Sequence, residues 1–295
     1  MEYNFLILIF LLIIFVINNI NFTNENFKGR NFVKPSNWEE LGFNDKLIIY
    51  GKQLGKEHSE YADKYLLKKK VGKMNIPNLN FPKTLMTLDK SEDLDLNKIP
   101  KNCVIKTNNG SGDVIVIKDR KIKVMTGRGG KYQGKLSEYK KWRVKSLIPH
   151  VTKTETHYTK INPVIFVEEY LGDNINDYKM YIIKGKFVFC QIITDRFKNG
   201  MGYHNFYDKD FNLLEFTKGK PINYENISRP KKYLELISIS EKIAEYTGFD
   251  FIRVDLYYVN EKIYLGELTF IPASGSKKDM IRPKKYDLQI GKLWK

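Results

Sequence analysis

The sequence predicts an α+β fold with antiparallel sheets, and three observations lead to this class. Hydrophobic residues make up 42% of the 295-residue chain, which suffices for a large core and excludes disorder as the main state. Short β-branched runs recur along the chain with glycine-bearing turns between them. Apolar residues at helical spacing mark a few separate segments. Sheets joined by hairpins, with helices packed beside them, agree best with this pattern.

The individual elements follow from local patterns. Helices are predicted over 39–54, 59–71 and 231–246, and Ser59 is the expected N-cap of the second. Residues 120–145 are basic and contain several glycines, and we expect a flap that includes a helix. The predicted strands are 79–88, 103–106, 114–117, 164–167, 178–183, 186–193, 251–259 and 262–270.

The amino terminus differs from the rest of the chain. Residues 5–17 form an uninterrupted apolar run of thirteen residues, about 20 Å long as a helix, which is short for a bilayer span. No cationic residue precedes this run and no small-residue cleavage site follows it, so a signal peptide is poorly supported. A membrane anchor extending over 5–22, a signal peptide and a buried segment remain open. We divide the chain into an anchor or signal segment (1–20), a polar linker (21–37) and a globular domain (38–295).

The net charge of +16 has two readings. A polyanionic partner would explain it. However, 42 of the 50 basic residues are Lys, and a Lys-, Asn- and Ile-rich composition is expected of AT-rich coding DNA, so a solvated lysine surface explains it as well. Because arginine is scarce, no specific nucleic acid partner is expected. Cys103 and Cys190 are predicted to be buried thiols, since they lie in apolar runs without metal-ligand spacing.

Two carboxylates stand on the arms of the last predicted hairpin. If Asn260 and Glu261 form its turn, Asp255 faces position 266 and adjoins Glu267 within one residue of register. Clustered carboxylates in buried strands need a compensating cation. Mg²⁺ suits such oxygen ligands, and salt bridges to Arg253 or Lys179 are the alternative.

A glycine loop follows a strand that carries Lys106. Backbone N–H groups in such a loop can approach phosphate oxygens while the lysine supplies a positive charge, although a plain hairpin loop has the same pattern. Further along, the strand at 164–167 leads to acidic residues, Glu168, Glu169 and Asp177, which could accept ribose hydroxyls or an adenine amino group. Each of these signals is weak when taken alone.

In chain order, these segments resemble the ATP-grasp fold, and specifically the TupA-like ATP-grasp family. The resemblance covers the chain from about residue 40 to its end. The segments that carry it are YADKY at 61–65, VIKTNNGSG at 104–112, VEEYL at 167–171, DYK at 177–179, DRF at 195–197, NFYD at 205–208, RVDLY at 253–257 and GELTF at 266–270, followed by Pro272, Ser274 and Gly275.

The resemblance implies two α+β subdomains that hold ATP between them, with Mg²⁺ on the carboxylates. Lys106 would bind the α/β phosphates, and the loop over the β/γ phosphates would consist of Asn109, Gly110, Ser111 and Gly112. The adenine and ribose pocket would be formed by Glu168, Glu169, Tyr170, Leu171 and Asp177.

By the same resemblance, Lys179 and Arg253 would stabilise the transferring phosphoryl group, and Asp255, Glu267 and Thr269 would ligate the metal. The residues assigned to the acceptor substrate are Asp195, Arg196, Asn205 and Ser274. The sequence departs from the wider pattern at Thr269, where many ATP-grasp enzymes have Asn, and at Ala273, where Gly is expected in the turn.

The implied activity is that of an ATP- and Mg²⁺-dependent ligase. It would activate a carboxylate as an acyl phosphate for attack by an amine or similar nucleophile, in glycan or cell-surface polymer biosynthesis. The alternatives are a glycan-modifying transferase or phosphotransferase with the same nucleotide site, and a non-enzymatic basic module that binds a polyanion. A membrane-associated, cytosol-facing domain is expected, because basic residues follow the apolar run and a glycan on Asn109 would block the loop. The secretory pathway is the alternative location.

Overall fold

Strands and short helices alternate irregularly along the chain. The computed structural model describes residues 32–295 except 129, 150, 174, 197–201, 223–226 and 277–278. The helices are α1 (Phe43–Gly51), α2 (Lys56–Ala62), α3 (Lys64–Gly72), α4 (Tyr139–Leu147), α5 (Tyr233–Thr247) and α6 (Lys284–Lys292). The strands are β1 (Leu79–Asn80), β2 (Thr84–Leu88), β3 (Cys103–Thr107), β4 (Val114–Lys118), β5 (Lys121–Thr126), β6 (Ile165–Glu169), β7 (Asp177–Ile183), β8 (Lys186–Thr194), β9 (Tyr203–Tyr207), β10 (Phe251–Val259) and β11 (Lys262–Thr269).

These strands form two sheets. The larger sheet has the order β1-β11-β10-β7-β8-β9, and the smaller has the order β2-β6-β3-β4-β5. Apart from the short β1, which pairs in parallel with β11, neighbouring strands within the sheets are antiparallel. The predicted α+β class with antiparallel sheets is therefore confirmed.

Each sheet has its own hydrophobic core. The core of the larger sheet includes α5, which packs on β7, β8 and β10, and the aromatic residues near the chain end, such as Trp294. The core of the smaller sheet includes Trp142 of α4. Cys103 and Cys190 are buried, unpaired thiols, one in each core, as the sequence predicted. Two separately packed cores leave a seam between the sheets, and this seam contains the candidate site.

The hairpin of β10 and β11 contains a β-bulge at Gly266. Leu256 pairs with Leu265, as a turn at Asn260 and Glu261 requires, but the register then shifts and Asp255 lies directly opposite Glu267. A Cβ atom at position 266 would lie only 2.9 Å from the Tyr257 ring, so the bulge needs glycine here. The bulge thus resolves the one-residue uncertainty in favour of paired carboxylates.

The predicted helix over 59–71 is two helices, and Ser59 is not its cap. α2 and α3 meet at Asp63, whose Oδ1 accepts hydrogen bonds from the backbone N–H groups of Tyr65 and Leu66 at 2.9 and 3.0 Å. The second carboxylate oxygen accepts a 3.0 Å bond from Asn108 Nδ2. The sequence pattern missed this break because apolar spacing continues across it. Asp63 fixes α3 to the loop after β3, and this contact orients the lysines of α3.

The predicted amino-terminal segments at 1–20 and 5–22 lie outside the described residues. Within 32–295, excluding the gaps given above, no helix has the length and apolar character that crossing a membrane requires.

Replacement of Asp63 by Ala should lower the free energy of unfolding by about 1–2 kcal/mol, because α3 loses its N-cap. Ser also caps helices well and, like Ala, lacks the oxygen that accepts the bond from Asn108, so Asp63→Ser should be more stable than Asp63→Ala by the value of the cap. Urea unfolding of the two variants and the wild type measures this difference. Equal stability of Asp63→Ala and Asp63→Ser would contradict the assigned capping role.

Candidate functional site

A cavity of about 420 Å³ lies between the two sheets. Its apolar wall comes from β3 and β4 of the smaller sheet, with Val104, Val114 and Val116. Its polar lining includes Lys106, Glu168, Asp177, Arg196 and Tyr257. Beside it, a smaller space of about 60 Å³ lies next to Lys64, Gly110 and Glu267 and shares Lys106, Arg196 and Tyr257 with the larger one. The combined shape has one flat apolar side and one strongly charged end.

Glu168 lies buried between two lysines at the floor of the cavity. Its carboxylate oxygens are each 2.6 Å from a lysine Nζ, one from Lys106 on β3 and one from Lys68 on α3. Burial alone would raise the pKa of Glu168, but the two lysines outweigh burial and hold it below its usual value. Burial alone would lower the pKa of Lys106. The negative charge of Glu168 is the strongest effect that counteracts burial, and the pKa of Lys106 is raised. Both groups are therefore charged at neutral pH.

A row of charged side chains crosses three strands of the larger sheet at the other end. Asp255 on β10 is paired in register with Lys179 on β7 and with Glu267 on β11. The Lys179 ammonium lies 2.5 Å from Asp255 Oδ2. In addition, Arg253 donates two hydrogen bonds of 2.6 Å to Asp255, one to each carboxylate oxygen. Asp255 is thus held by two cations, which is how its burial is tolerated.

Glu267 is compensated in the same way. Lys64 of α3 lies 3.0 Å from one of its carboxylate oxygens, and Arg253 lies 3.6 Å from the other. Burial would raise the pKa of Glu267, but Lys64, Lys179 and Arg253 together lower it far below its usual value. Lys64 also donates a hydrogen bond to the carbonyl oxygen of Gly110, so one lysine joins the acidic end of the cavity to the glycine loop.

The chemistry of this donor set fits Mg²⁺. Asp255 and Glu267 present carboxylate oxygens from facing positions, and Thr269 Oγ1 lies next to them, accepting a 3.0 Å hydrogen bond from Arg253. Mg²⁺ usually binds one or two protein carboxylates and completes its shell with water and phosphate oxygens. Among the described residues, no group of three or more His, Cys, Asp or Glu side chains has the arrangement of a metal site. A metal at this position would therefore need ligands from a bound substrate.

The glycine loop between β3 and β4 is braced by polar contacts. Gly110 and Gly112 border the cavity, and Ser111 is exposed. Asn109 is fully buried and donates a 3.1 Å hydrogen bond to Leu147 O, so its side chain supports the loop from beneath and does not line the cavity. A Cβ atom on Gly110 would lie 3.1 Å from the Arg128 guanidinium, which explains the small residue at this position.

Arg128, which follows β5, attaches the end of the glycine loop to α4. Its Nε donates a 2.6 Å hydrogen bond to Asp113 Oδ2, and its Nη2 donates a 2.7 Å bond to Ser146 O. The backbone N–H of Arg128 also donates to Asp113, at 3.0 Å. These bonds hold the loop in place where Gly110 and Gly112 border the smaller cavity space.

The remaining residues assigned to the nucleotide lie around the cavity. Glu169 at the end of β6 and the following Tyr170 and Leu171 line the rim. Glu169 accepts a 2.8 Å hydrogen bond from the backbone N–H of Lys83. Asp177 at the start of β7 forms a 2.5 Å ion pair with Arg196. Burial would raise the pKa of Asp177, but Arg196 outweighs burial and lowers it. The rim thus offers backbone and acidic acceptors next to the apolar wall.

The four residues assigned to the acceptor do not form one cluster. Asp195 and Arg196 line the cavity, and Asp195 has a positive φ of 50°. Asn205 is buried on β9 and does not line the cavity. Ser274 lies in a turn with Ala273, at φ values of 57° and 54°, and donates a hydrogen bond to Glu155. The Gly expected at position 273 would have suited this left-handed backbone.

Several site residues were not assigned from the sequence. Lys64 lies within the YADKY segment, but nothing in the pattern specified its contact with Glu267. Lys68 follows it by four residues on α3, and this i, i+4 spacing places both lysines on one helix face. Arg128 and Tyr257 were missed because their roles depend on contacts between distant segments.

Known proteins were compared with the chain. Three solved structures are similar to this chain. D-alanine-D-alanine ligase from Helicobacter pylori has 16% sequence identity and a TM-score of 0.41, and D-alanine-D-alanine ligase from Bacillus anthracis complexed with ATP has 18% identity and a TM-score of 0.39. L-amino acid ligase from Bacillus licheniformis has 14% identity and a TM-score of 0.40. They match 80%, 79% and 74% of this chain. The chain spans 61%, 64% and 43% of those proteins. No curated protein matches the sequence significantly.

A family model described as TupA-like ATPgrasp matches residues 46–295, which is most of the chain. This match agrees with the two-sheet architecture and with the cavity between the sheets. The family resemblance noted in the sequence is therefore confirmed, and the chain belongs to the TupA-like ATP-grasp family.

Proposed function

We propose that the protein is an ATP- and Mg²⁺-dependent ligase that activates a carboxylate as an acyl phosphate for attack by an amine or similar nucleophile. The observation that carries this proposal is the pair of charged clusters beside the cavity. In one cluster Lys68 and Lys106 hold Glu168, and in the other Lys64, Lys179 and Arg253 hold Asp255 and Glu267. Cations outnumber carboxylates in both clusters, and phosphoryl transfer from ATP requires cations placed at the phosphates.

The proposed roles follow from position. Lys106 and the glycine loop bind the phosphates, and the β6 exit from Glu168 to Leu171, together with Asp177, holds the adenine and ribose. Lys179 and Arg253 stabilise charge on the transferring phosphoryl group. Asp255 and Glu267, with Thr269 beside them, would hold Mg²⁺, which neutralises phosphate charge when bound. Phosphoryl transfer depends mainly on positioning and charge neutralisation, so these residues suffice without a strong base.

The direction of the chemistry is also part of the proposal. The carboxylate of the first substrate attacks the γ-phosphorus, ADP leaves, and the nucleophile then displaces inorganic phosphate from the acyl phosphate. We further propose that the substrates belong to glycan or cell-surface polymer biosynthesis, the setting associated with the family. Asp195 and Arg196 at the cavity edge are the best-placed candidates for contacting a substrate next to the nucleotide.

Lys106→Met should weaken ATP binding about 10- to 100-fold, because one charged hydrogen-bond donor to phosphate is lost. Glu168 keeps its contact with Lys68 in this variant, so its carboxylate is not left unpaired and the fold should persist. Lys121→Met, at an exposed position on β5, is the matched control and should bind ATP normally. Calorimetric titration with ATP and Mg²⁺ measures the affinities. Equal affinities for both variants would contradict the role of Lys106.

Asp255→Asn should abolish the dependence of nucleotide affinity on Mg²⁺, since a neutral amide binds Mg²⁺ much less well than a carboxylate. The measurement is ADP affinity with and without Mg²⁺ in the wild type and in the variant. Asp173→Asn changes an exposed carboxylate at the cavity mouth and serves as the control. If Mg²⁺ strengthens ADP binding equally in all three proteins, Asp255 is not a metal ligand.

The ligase reaction itself can be tested with hydroxylamine as the nucleophile. With ATP, Mg²⁺ and a panel of amino acids and uronic acids, the wild type should form a hydroxamate together with ADP and inorganic phosphate, and Lys106→Met should form at least 100-fold less. A stable phosphorylated product without hydroxamate or free phosphate would instead establish a phosphotransferase. Mass spectrometry of the products distinguishes these outcomes.

A further inference from the structure

Most of the net positive charge of the chain is concentrated in one segment. Residues 120–153 contain eleven Lys and Arg residues and only one acidic residue, Glu138. The segment therefore contributes a net +10 to the total of +16 within 34 of the 295 residues. It includes β5, α4 and the connections on either side of α4. Codon bias affects the whole chain and does not explain such a local excess.

Helix α4 presents this charge on one face. Its inner face is buried and consists of Tyr139, Trp142, Arg143 and Ser146. Its outer face is exposed to solvent. With the residue that follows the helix, this face consists of Lys140, Lys141, Val144, Lys145 and Ile148. We call this outer set the α4 face. Its three lysines form no ion pair with a described carboxylate, although the Lys141 ammonium lies 5.5 Å from the centre of the Tyr132 ring.

The same face carries exposed apolar side chains. Val144 is 51% exposed and Ile148 is 54% exposed, and they lie one helical turn apart. Leu136 and Val151 are exposed as well. Four of the exposed large apolar side chains in the described part of the chain therefore lie between residues 136 and 151. Single exposed apolar residues are common, but a local group among lysines marks an interaction surface.

The arginines of the segment are not available to a partner. Arg120 donates to Leu96 O at 2.7 Å, Arg128 binds Asp113, and Arg143 is buried and donates to Glu92 O. The outward cations are therefore lysines, which lack the forked geometry used to recognise bases and phosphates in nucleic acids. Exposed Val and Ile side chains would also gain nothing from a soluble polyanion, which offers them no apolar partner.

We infer that the α4 face docks onto a lipid bilayer that contains anionic headgroups. Lysines are attracted to the negative surface, while Val144 and Ile148 enter the boundary between headgroups and acyl chains. Both components of this interaction are present on one face, and each lysine near an anionic surface adds to binding. The inference concerns binding alone and does not depend on the reaction proposed above.

The first test places an environment-sensitive fluorophore on the surface of the full-length chain. Cys103 and Cys190 are buried, so a thiol-reactive NBD probe should label Val144→Cys selectively. With vesicles of phosphatidylcholine and phosphatidylserine, the probe at position 144 should shift to the blue, and phosphatidylcholine vesicles alone should cause little shift. Lys231→Cys, on the exposed surface before α5, is the control and should show no shift. No shift at 144, or equal shifts at both positions, would overturn the inference, even if the amino-terminal segment binds the vesicles.

The second test removes the charge. The triple variant replaces Lys140, Lys141 and Lys145 by Gln in the 144-labelled protein. Each lysine near an anionic surface contributes about 1 kcal/mol of binding free energy, and about 1.4 kcal/mol changes the affinity tenfold, so the affinity for these vesicles should fall about 100-fold. The matched control replaces three exposed lysines elsewhere, Lys209, Lys242 and Lys262, by Gln and should bind like the wild type. Unchanged circular dichroism spectra and melting temperatures show that both variants are folded. Equal loss in both variants, or a blue shift with soluble polyglutamate in place of vesicles, would refute lipid docking.

Discussion

Three carboxylates and five cationic side chains lie buried or largely buried where the two sheets meet, and the charge of each group stabilises the charge of the other. Glu168 lies between Lys68 and Lys106, and Asp255 lies between Lys179 and Arg253. A buried ion that loses its last partner is left uncompensated, which costs about 3–5 kcal/mol. The composition of these clusters is therefore constrained, and their excess of cations over carboxylates is the feature on which the proposed binding of ATP rests.

The position of the cluster depends on the register of the larger sheet. Without the bulge at Gly266, a one-residue shift would turn Glu267 to the opposite face of β11, away from Asp255. Lys179 reaches Asp255 because β7 pairs in register with β10, and Lys64 reaches Glu267 because Asp63 caps α3 against the loop that follows β3. A bulge, a register and a helix cap thus bring four segments together at one end of the cavity.

Much of this arrangement could be predicted from the sequence, for identifiable reasons. The hairpin of β10 and β11 was predictable because its turn residues and alternating pattern are local, and that placed Asp255 near Glu267. The bulge was not predictable, because the close approach of the Tyr257 ring to Gly266 is not specified by any local pattern. The break at Asp63 was missed because helical spacing continues through it, and only the packing of Asn108 against the cap distinguishes one helix from two. Arg128 and Lys68 were missed for a related reason: their partners, Asp113 and Glu168, are distant in sequence or lie on another element.

Helix α4 connects the glycine loop with the protein surface. Its inner side supports the smaller sheet through Trp142 Nε1, which donates a 2.7 Å hydrogen bond to Thr126 O. Its carboxyl-terminal end accepts hydrogen bonds from Asn109 of the loop and from Arg128. The loop, β5 and α4 therefore form one hydrogen-bonded unit, whose inner edge borders the cavity and whose outer side is the α4 face. The hydrogen bonds that hold this unit together come from Asn109, Arg128 and Trp142, so the charges of Lys140 and Lys145 can take part in binding at the surface without disturbing the support that the helix gives to the loop.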